Sequence, residues 1–283
     1  MAVMDTCVIC DGVSTKPYCD GIIQCRECGH VYYGNRPDEA QIRRLYGERY
    51  FCGDEYSSYV ADKRTVQKNF RLRLGVLGRF LDPARHKRLL EIGCAYGFFL
   101  DLVRDRFDTA QGIDISEEGV RYAREELRLD AVCADFLKYD FGDRGFDIVC
   151  MWDTIEHLVS PQAYIQKIGA HMESGGLLAL TTGDIGSLSA RIQKGRWRLI
   201  HPPTHVHYFS QKTLTKLLDK NGFDVLYQRH CGFYRSIDMI AYRLLVLKKR
   251  WPALHALARK TGLSGVDLYS NLYDISYFIG RKR

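Results

Sequence analysis

Short apolar runs alternate with polar, amphipathic stretches from Lys87 onward. The first run, RLLEI, precedes a glycine turn and a helix pattern, and the second ends at Asp114 before a helix that Ser116 would cap. A third run ends near Cys133–Phe136, and FDIVCMW and GGLLALTTGD are the fourth and fifth. Strands that alternate with helices in this way predict an α/β fold with a mostly parallel sheet.

The turns after these strands carry glycines and acids. Gly93 and Gly97 let the backbone fold sharply and approach a ligand at a helix N-terminus, although their spacing is not the GxGxxG of dinucleotide sites. Acids at successive strand ends are Glu91, Asp114 and Asp135. Ligands of open α/β sheets bind at the carboxyl ends of the strands, so this order predicts one ligand site. An acid at Asp114 suits the ribose hydroxyls of an adenosine cofactor.

The first thirty residues predict a small metal module. Two CxxC pairs, separated by fourteen residues, are Cys7 with Cys10 and Cys25 with Cys28. Such pairs on tight turns bring four thiolates to the corners of a tetrahedron, which a closed structural zinc site requires. Cys19 and His30 are candidate substitute ligands.

Composition and charge limit the class of protein. The chain has 283 residues, ten cysteines, a net charge of +7 and a pI of about 8.8. It shows neither an export signal nor the roughly 18 to 20 consecutive apolar residues that span a bilayer, which predicts a cytoplasmic protein. In a reducing compartment, metal ligation or burial of the cysteines is favoured over disulfides. The positive charge permits an anionic partner, either nucleic acid, a nucleotide-linked substrate or a membrane surface.

The strand-end motifs resemble those of the class I S-adenosylmethionine-dependent methyltransferases, over residues 70 to 283. LEIGCAYG is similar to that family's first motif, GIDIS to its ribose-binding acid and ADF to its adenine-contacting turn. The resemblance implies a Rossmann-like, seven-stranded, mostly parallel sheet with helices on both faces. It ends in an antiparallel hairpin, for which GFDVLYQRHCG and NLYDISYFIGRKR are candidates. The implied cofactor is S-adenosylmethionine, contacted by Glu91, Gly93, Ala95, Gly97, Asp114, Ile115, Asp135 and Phe136.

Two features qualify this resemblance. Tyr96 stands where the family often has a small residue, which would change how the methionine end of the cofactor is covered. The cysteine pairs and the CGHVYYGNRP stretch resemble the zinc-binding heads of sugar methyltransferases and of methyltransferases from polysaccharide and natural-product clusters. That narrower resemblance implies a zinc-ribbon-like module and a sugar-like acceptor.

The segment MWDTIEHL follows the fourth strand, beside the methyl group of the implied cofactor. An alcohol is a poor nucleophile, so its methylation requires either a base with a pKa near neutrality or a metal that acidifies the hydroxyl. His157 suits the first route, with Glu156 orienting the imidazole or facing the substrate. Sugar C-methyltransferases are similar in having an EH pair here, with the histidine taken as a base. The structural alternative is a histidine that only bonds a loop.

A histidine-rich loop, HPPTHVHYFS at 201–210, should arch over the same cleft. Small-RNA 2′-O-methyltransferases and ubiquinone-pathway O-methyltransferases are similar in having an acid-x-x-Glu-His set and a later histidine, which bind a divalent ion. By that resemblance Asp153, Glu156 and His157, with His207 or His205, would hold a second metal. We place His207 with Glu156 and His157 in the predicted catalytic set.

These patterns predict a zinc-binding module over 1–36, a helical linker or lid over 37–80 and a methyltransferase domain over 81–283. The insert at 235–270, between the last two strands, is helical in pattern, apolar on one side and rich in lysine and arginine. It is predicted to be a lid or dimer helix, or alternatively to contact an anionic membrane peripherally.

The predicted function is methyl transfer from S-adenosylmethionine to a hydroxyl of a sugar, glycan or small metabolite, with His157 as general base. The alternatives are C-methylation of a nucleotide-sugar, metal-assisted O-methylation and RNA methylation. RNA methylation is disfavoured because Trp152–Ile155 is not the Asn/Asp-Pro-Pro-aromatic motif of base-amine methyltransferases, and the basic residues form no single stripe. Intact acids and glycines in the cofactor motifs disfavour a non-catalytic binding protein.

Overall fold

The computed structural model describes residues 2–3, 6–38, 41, 59–259 and 265–283. Its strands are β1 (Ala2–Val3), β2 (Thr15–Cys19), β3 (Ile22–Cys25), β4 (Val31–Tyr33), β5 (Asn35–Arg36), β6 (Arg88–Ile92), β7 (Thr109–Asp114), β8 (Asp130–Cys133), β9 (Ile148–Trp152), β10 (Leu177–Gly183), β11 (His207–Tyr208), β12 (Phe223–His230), β13 (Phe233–Ser236), β14 (Asp267–Ser270) and β15 (Ile275–Lys282). Its helices are α1 (Lys63–Leu77), α2 (Phe98–Val103), α3 (Glu117–Glu125), α4 (Pro161–Ala170), α5 (Leu188–Gln193), α6 (Gln211–Lys220), α7 (Ile237–Ala241) and α8 (Pro252–Arg259). Short 3-10 turns cover Ile155–His157 and Lys194–Arg196, and Tyr242–Lys248 is a π-helix.

The central sheet confirms the predicted fold class. Its seven strands lie in the order β12, β15, β10, β9, β6, β7, β8. The strands from β10 to β8 run parallel, whereas β15 is antiparallel to both β10 and β12. The predicted hairpin segments therefore form the antiparallel pair, and the last strand lies inside the sheet rather than at its edge.

Both faces of the central sheet are buried. In β9, Val149 and Met151 pack in one apolar cluster, whereas Ile148, Cys150 and Trp152 pack in the cluster on the other side. A strand covered on both faces reads as a continuous apolar run, which explains FDIVCMW. Its carboxyl end therefore emerges from the core where MWDTIEHL begins.

The N-terminal module shares its sheet and its core with the rest of the chain. β2, β3 and β4 form an antiparallel sheet whose fourth strand is β11, from the histidine-rich loop. Cys7, Ile9 and Tyr32 belong to the same buried cluster as Phe209 and Leu214 of the α6 region. The module is thus packed against the loop that was predicted to cover the cleft.

The predicted linker over 37–80 is described at 37–38, 41 and 59–80, and its remaining residues lie outside the described ranges. Helix α1 packs Phe70, Leu74 and Leu77 onto the central sheet, on the side of Ile148 and Cys150. Among the described helices, none is long and apolar enough to cross a bilayer.

The insert predicted to be helical over 235–270 is helical in its middle and paired at its ends. Strands β13 and β14 pair antiparallel, with Phe233 opposite Ser270, and α7, the π-helix and α8 lie between them. Each of these strands has only four residues, which is too short for an alternation of apolar and polar residues to predict it from the sequence. The pairing ties the two ends of the helical part together.

Candidate functional site

A cavity of about 980 Å³ opens at the carboxyl ends of β6, β7, β8 and β9. The lining residues at or after the ends of these strands include Gly93, Ala95, Asp114, Ile115, Asp135, Phe136, Asp153, Thr154, Glu156 and His157. Parallel pairing of the four strands brings these ends to one edge of the sheet. The volume is at the upper end of the roughly 300–1,000 Å³ of small-molecule sites.

The glycine turn after β6 lies against the segment after β9. Gly93 has a φ of +79°, and a Cβ added there would lie 2.6 Å from Oγ1 of Thr154. The amide of Ala95 donates to Oδ2 of Asp114 at 2.7 Å. Glycine is therefore required for the close approach, and the bond to Asp114 fixes the turn.

The Asp114 carboxylate is bonded to the backbone and still faces the cavity. Its Oδ1 accepts from the amide of Ser116 at 2.8 Å, and burial raises its pKa while the backbone amides of Ser116 and Ala95 oppose that shift. A carboxylate has about four acceptor positions, so each oxygen can accept one more bond from a ligand. The arrangement suits a pair of neighbouring hydroxyls.

Phe136 and Tyr164 form an apolar wall next to Asp135. Their rings stack with centroids 5.1 Å apart, and both residues line the cavity. Oδ1 of Asp135 accepts from the amide of Leu137 at 2.9 Å. A planar heteroaromatic ring with an amino group would find an apolar face and an acceptor here.

Three residues of the first motif lie behind the cavity wall. Glu91 is buried, burial raises its pKa well above the usual range, and its Oε2 has no hydrogen-bond partner within the described ranges. Gly97 is the N-cap of α2 and has a φ of +74°. Tyr96 packs on Tyr59 and Tyr122, with centroids 5.4 and 5.2 Å away. These residues shape the turn from behind.

Asp153 is engaged by a residue that no motif identified. Its Oδ2 accepts from Nη2 of Arg73 at 2.6 Å, and its Oδ1 accepts from Oγ1 of Thr181 at 2.8 Å. Arg73 comes from α1 and lies 5.6 Å from the Trp152 ring. Both oxygens of Asp153 are therefore bonded within the protein. Asp153 was predicted as a metal ligand, but it is not part of the cluster of possible metal ligands that Glu156 and His157 form.

Glu156, His157 and His205 form a compact group in the cavity wall, with one ligand atom of each within 4.8 Å of the others. Nδ1 of His157 lies 3.0 Å from the Thr204 carbonyl oxygen, and Nδ1 of His205 lies 2.9 Å from that of Leu199. A carbonyl only accepts, so each Nδ1 carries the proton. In a neutral ring with this tautomer, Nε2 is the acceptor atom.

Burial sets the protonation of this group. It lowers the pKa of His157 to about 4 and lowers that of His205 well below its usual value, with His157 adding to the second shift. It raises the pKa of Glu156 to about 8, with Asp153 adding to the shift. At neutral pH both imidazoles are neutral, and Glu156 keeps its proton until a nearby cation favours the carboxylate.

Replacing Glu156 with glutamine should stabilise the metal-free protein at alkaline pH. Because the pKa of the folded carboxyl is raised to about 8, its contribution to stability is present at acid pH and is lost as the pH rises through about 8. Glutamine does not ionise and avoids this loss. We expect a higher Tm for Glu156→Gln at pH about 9 and a similar Tm at pH about 5. Thermal unfolding in chelating buffer measures this, and an equal difference at both pH values contradicts it.

His207, predicted as catalytic, lies outside the cavity. It is fully buried in β11, with Nδ1 3.0 Å from Nε2 of His30, and it stands opposite Tyr32 of β4. The strand pairing directs His207 into the N-terminal module. His205, which precedes the strand, is the loop histidine that reaches His157, with ring centroids 4.6 Å apart.

Backbone bonds connect the N-terminal module to Glu156. The amide of Tyr33 donates to the carbonyl of Val206 at 2.8 Å, and the amide of Val206 donates to the carbonyl of Glu156 at 2.9 Å. The position of the Glu156–His157–His205 group therefore depends on β4 through β11.

A sequence profile of the family described as Methyltransferase domain matches residues 63–228, more than half of the chain. The protein belongs to this methyltransferase family. The matched part begins at α1 and ends in β12, so it contains the cavity-lining strand ends and the Glu156–His157–His205 group. The N-terminal module and the whole insert lie outside it.

Curated relatives of this methyltransferase match part of their own length. A protein of Mycolicibacterium smegmatis, named a probable S-adenosylmethionine-dependent methyltransferase, is 26 % identical over 157 residues, covering 55 % of this chain and 59 % of the relative. A ubiquinone biosynthesis O-methyltransferase of Idiomarina loihiensis is 23 % identical over 118 residues, covering 39 % of this chain and 48 % of the relative. The chain therefore spans about half the length of these relatives.

Solved structures support the fold. The magnesium protoporphyrin IX methyltransferase of Synechocystis, solved with bound SAH, has a TM-score of 0.55 at 15 % identity, covering 87 % of this chain and all of that one. A Bacillus subtilis protein has a TM-score of 0.56 at 15 % identity, covering 75 % of this chain and 99 % of its own. At this identity the likeness concerns the fold alone.

The four cysteines predicted as zinc ligands lie together in the N-terminal module of this methyltransferase. Their sulfur atoms all lie within 4.8 Å of one another; the Cys7–Cys28 and Cys10–Cys25 distances are 3.5 and 3.6 Å. Tetrahedral zinc, with Zn–S bonds of about 2.3 Å, places its sulfurs about 3.8 Å apart. The set fits zinc, and Cys19 and His30 are not part of it.

Proposed function

We propose that the protein transfers the methyl group of S-adenosylmethionine to a hydroxyl of a sugar, glycan or similar small metabolite, with His157 as the base. The observation that carries the proposal is the position of His157. Nδ1 of His157 bonds to the Thr204 carbonyl, and His157 lines the same cavity as the turn at Gly93 and the Asp114 carboxylate. A neutral imidazole with Nε2 as acceptor is the form that removes a proton, and the pKa of about 4 makes His157 a weaker base than the near-neutral one expected from the sequence.

The cavity residues divide into two roles under this proposal. Asp114 accepts the ribose hydroxyls, Asp135 and Phe136 bracket the adenine beside Ile115, and the backbone from Gly93 to Ala95 approaches the methionine end. Glu91 and Gly97 support that turn from behind. The methyl group then faces the Glu156–His157–His205 group. This group directly follows Thr154, which lies against Gly93.

The chemical step needs positioning and one proton acceptor. The acceptor oxygen attacks the methyl carbon in line with its bond to sulfur; the O–C bond forms as the S–C bond breaks, and the electron pair stays on sulfur. The hydroxyl proton passes to Nε2 of His157. The imidazolium then favours the carboxylate form of Glu156 beside it.

Three observations support a small hydroxylated acceptor. The cavity has room for the cofactor and a second small molecule together, at about 980 Å³. One relative is named a ubiquinone biosynthesis O-methyltransferase. The cysteine module resembles the zinc-binding heads of sugar methyltransferases. Incubation with S-adenosylmethionine and a panel of free, nucleotide-linked and lipid-linked sugars tests the proposal by mass spectrometry. A product methylated on nitrogen or carbon would reject it.

Replacing Asp114 with alanine should weaken S-adenosylmethionine binding. The change removes the predicted ribose acceptor and the bond that fixes the turn at Ala95. Loss of bonds to a charged group costs about 1.5 to 3 kcal/mol, which raises Kd by roughly ten- to a hundredfold. Calorimetry measures the effect, with Asp140→Asn, an exposed aspartate outside the cavity lining, as control. An unchanged Kd for Asp114→Ala would refute the assignment.

The residue types of the Glu156–His157–His205 group favour a second route, in which a divalent cation assists methylation of the hydroxyl. A buried carboxylate oxygen of Glu156 that has no hydrogen-bond partner within the described ranges lies beside two imidazoles whose Nδ1 atoms bond to carbonyls. That orientation is typical of metal-bound histidines, so a divalent cation would be held by Glu156, His157 and His205. When bound, such an ion lowers the pKa of the acceptor hydroxyl.

His205→Ala separates the two routes. If His157 is only a base, the variant should keep turnover within about tenfold, because His205 then packs against it without touching the proton. If a cation is held, turnover should fall by about a hundredfold or more, and binding of Mn²⁺ seen by electron paramagnetic resonance should disappear. A wild-type protein that binds no Mn²⁺ and keeps its activity in chelator eliminates the metal route.

We also propose that Cys7, Cys10, Cys25 and Cys28 hold a structural zinc ion. The four thiolates would close the coordination sphere, so the ion would stabilise the module and take no part in the reaction. One zinc per chain by elemental analysis is the expected content.

A further inference from the structure

We infer that the insert is a docking surface for an anionic membrane, through the outer face of α8 and the basic turn that precedes it. We call residues 244–259 the docking segment. It begins within the π-helix and ends with α8, on the part of the chain that lies beyond the matched family profile. The inference does not depend on which acceptor is methylated.

The outer face of the docking segment is apolar and exposed. Trp251, Leu254 and Leu257 follow at intervals of three residues, which places them on one side of the helix, and their exposed fractions are 55, 45 and 60 %. Leu244 and Leu247 of the π-helix are also exposed. A group of exposed apolar side chains of this kind is typical of a surface that binds a partner or a membrane.

The inner face of α8 contacts α7 and the π-helix, and these contacts fix the orientation of the outer face toward solvent. His255 is buried, with Nε2 3.0 Å from Oδ1 of Asp238 in α7, and its ring lies 5.4 Å from that of Tyr242. Arg259 also contacts Asp238, at 3.6 Å. The exposure of Trp251 and Leu257 is therefore fixed by contacts made on the opposite side of the same helix.

The charge of the segment identifies its partner. The docking segment contains four lysines and arginines and no acid. Exposed Lys248, Lys249 and Arg250 directly precede Trp251, and Nζ of Lys249 lies 6.0 Å from the Trp251 ring. Cations beside exposed leucines and a tryptophan are the composition of interfacial helices on anionic bilayers. Two copies of this surface would bring like charges together, which disfavours a second chain as the occupant.

The docking segment is continuous with one wall of the cavity. Met239, Tyr242 and Arg243, just before it, line the cavity. A membrane bound at the outer face would therefore lie near residues that face the reacting group, which suits an acceptor presented from a lipid surface.

Trp251 provides a direct reporter. The chain has three tryptophans, and Trp152 and Trp197 are only 7 and 2 % exposed. With vesicles of phosphatidylcholine and about one third phosphatidylglycerol, we expect cosedimentation and quenching of Trp251 by brominated acyl chains. Phosphatidylcholine alone should bind at least about tenfold more weakly, and higher salt should weaken binding to the mixed vesicles.

Three variants test the assignment, with thermal unfolding as the check that each folds. Leu254→Glu/Leu257→Glu and Lys248→Glu/Lys249→Glu/Arg250→Glu should each weaken vesicle binding by about tenfold or more. Leu188→Glu/Ile192→Glu changes two apolar residues of α5 that are even more exposed, at 73 and 72 %, and this variant should bind like the wild type. The inference is overturned if the wild type does not bind these vesicles, if the α5 variant alone loses binding, or if the leucine pair instead abolishes self-association in sedimentation.

Discussion

Replacing Cys10 and Cys28 with serine should inactivate the enzyme while leaving S-adenosylmethionine binding nearly intact. The proposed zinc supplies much of the folding free energy of the module, about 10 to 16 kcal/mol of binding in isolated zinc domains. Without the zinc ion, the module no longer holds β4 in place, and β11 loses the strand with which it pairs. The backbone bonds from Tyr33 through Val206 to Glu156 then break, and His205 leaves its position beside His157.

The cofactor half of the cavity does not share this dependence. Gly93 and Asp114 lie at the ends of two paired strands of the central sheet, and the bond from the Ala95 amide to Asp114 connects their turns. The Kd for S-adenosylmethionine should therefore change less than about threefold. Turnover should fall by at least about a hundredfold, and Tm should fall by about 10 °C, since about 1 kcal/mol corresponds to a few degrees at this chain length.

Cys19→Ser is the matched control, because Cys19 lies in β2 of the same module but outside the four-sulfur group. It should retain zinc, Tm and turnover. Normal turnover in a Cys10→Ser/Cys28→Ser protein shown to lack zinc would disprove the positional role of the module.

Replacing His157 with alanine should reduce turnover on the true acceptor by about a hundred- to ten-thousandfold, the usual contribution of a positioned base. The pKa of His157 is lowered to about 4 by burial, so the wild-type imidazole is already neutral at pH 7. The turnover of the wild type should therefore show no fall near pH 6.5 and should decline only as the pH approaches about 4. Rapid-quench turnover with saturating S-adenosylmethionine measures both effects.

His171→Ala provides the comparison for this experiment. His171 bonds through Nδ1 to the Arg144 carbonyl at 3.1 Å and does not line the cavity. It should keep wild-type turnover, and both variants should bind S-adenosylmethionine like the wild type. Turnover by His157→Ala equal to that of His171→Ala would show that His157 is not the base.

The fold could be predicted because its signals are local. Apolar runs with glycines or acids at their ends marked the strands from β6 to β10, and the parallel register then placed Asp114, Asp135 and Glu156 at one edge. Strands β13 and β14 gave no such signal, since four residues are too few to show a period.

The fine structure of the site depends on long-range contacts. Arg73 is one of several basic residues in a polar helix, and only the packing of α1 brings it to Asp153, 80 residues later in sequence. His205 and His207 are equivalent in the sequence pattern, and the pairing of β11 with β4 directs one to the cavity and the other to His30. Neither outcome follows from spacing alone.

A crystal structure of the protein with S-adenosylhomocysteine tests the central proposal most directly. We predict ribose hydroxyls on the Asp114 carboxylate, the adenine beside Phe136, and the sulfur facing the Glu156–His157–His205 group. A product bound with its ribose away from Asp114, or with its sulfur pointing away from His157, would contradict the account.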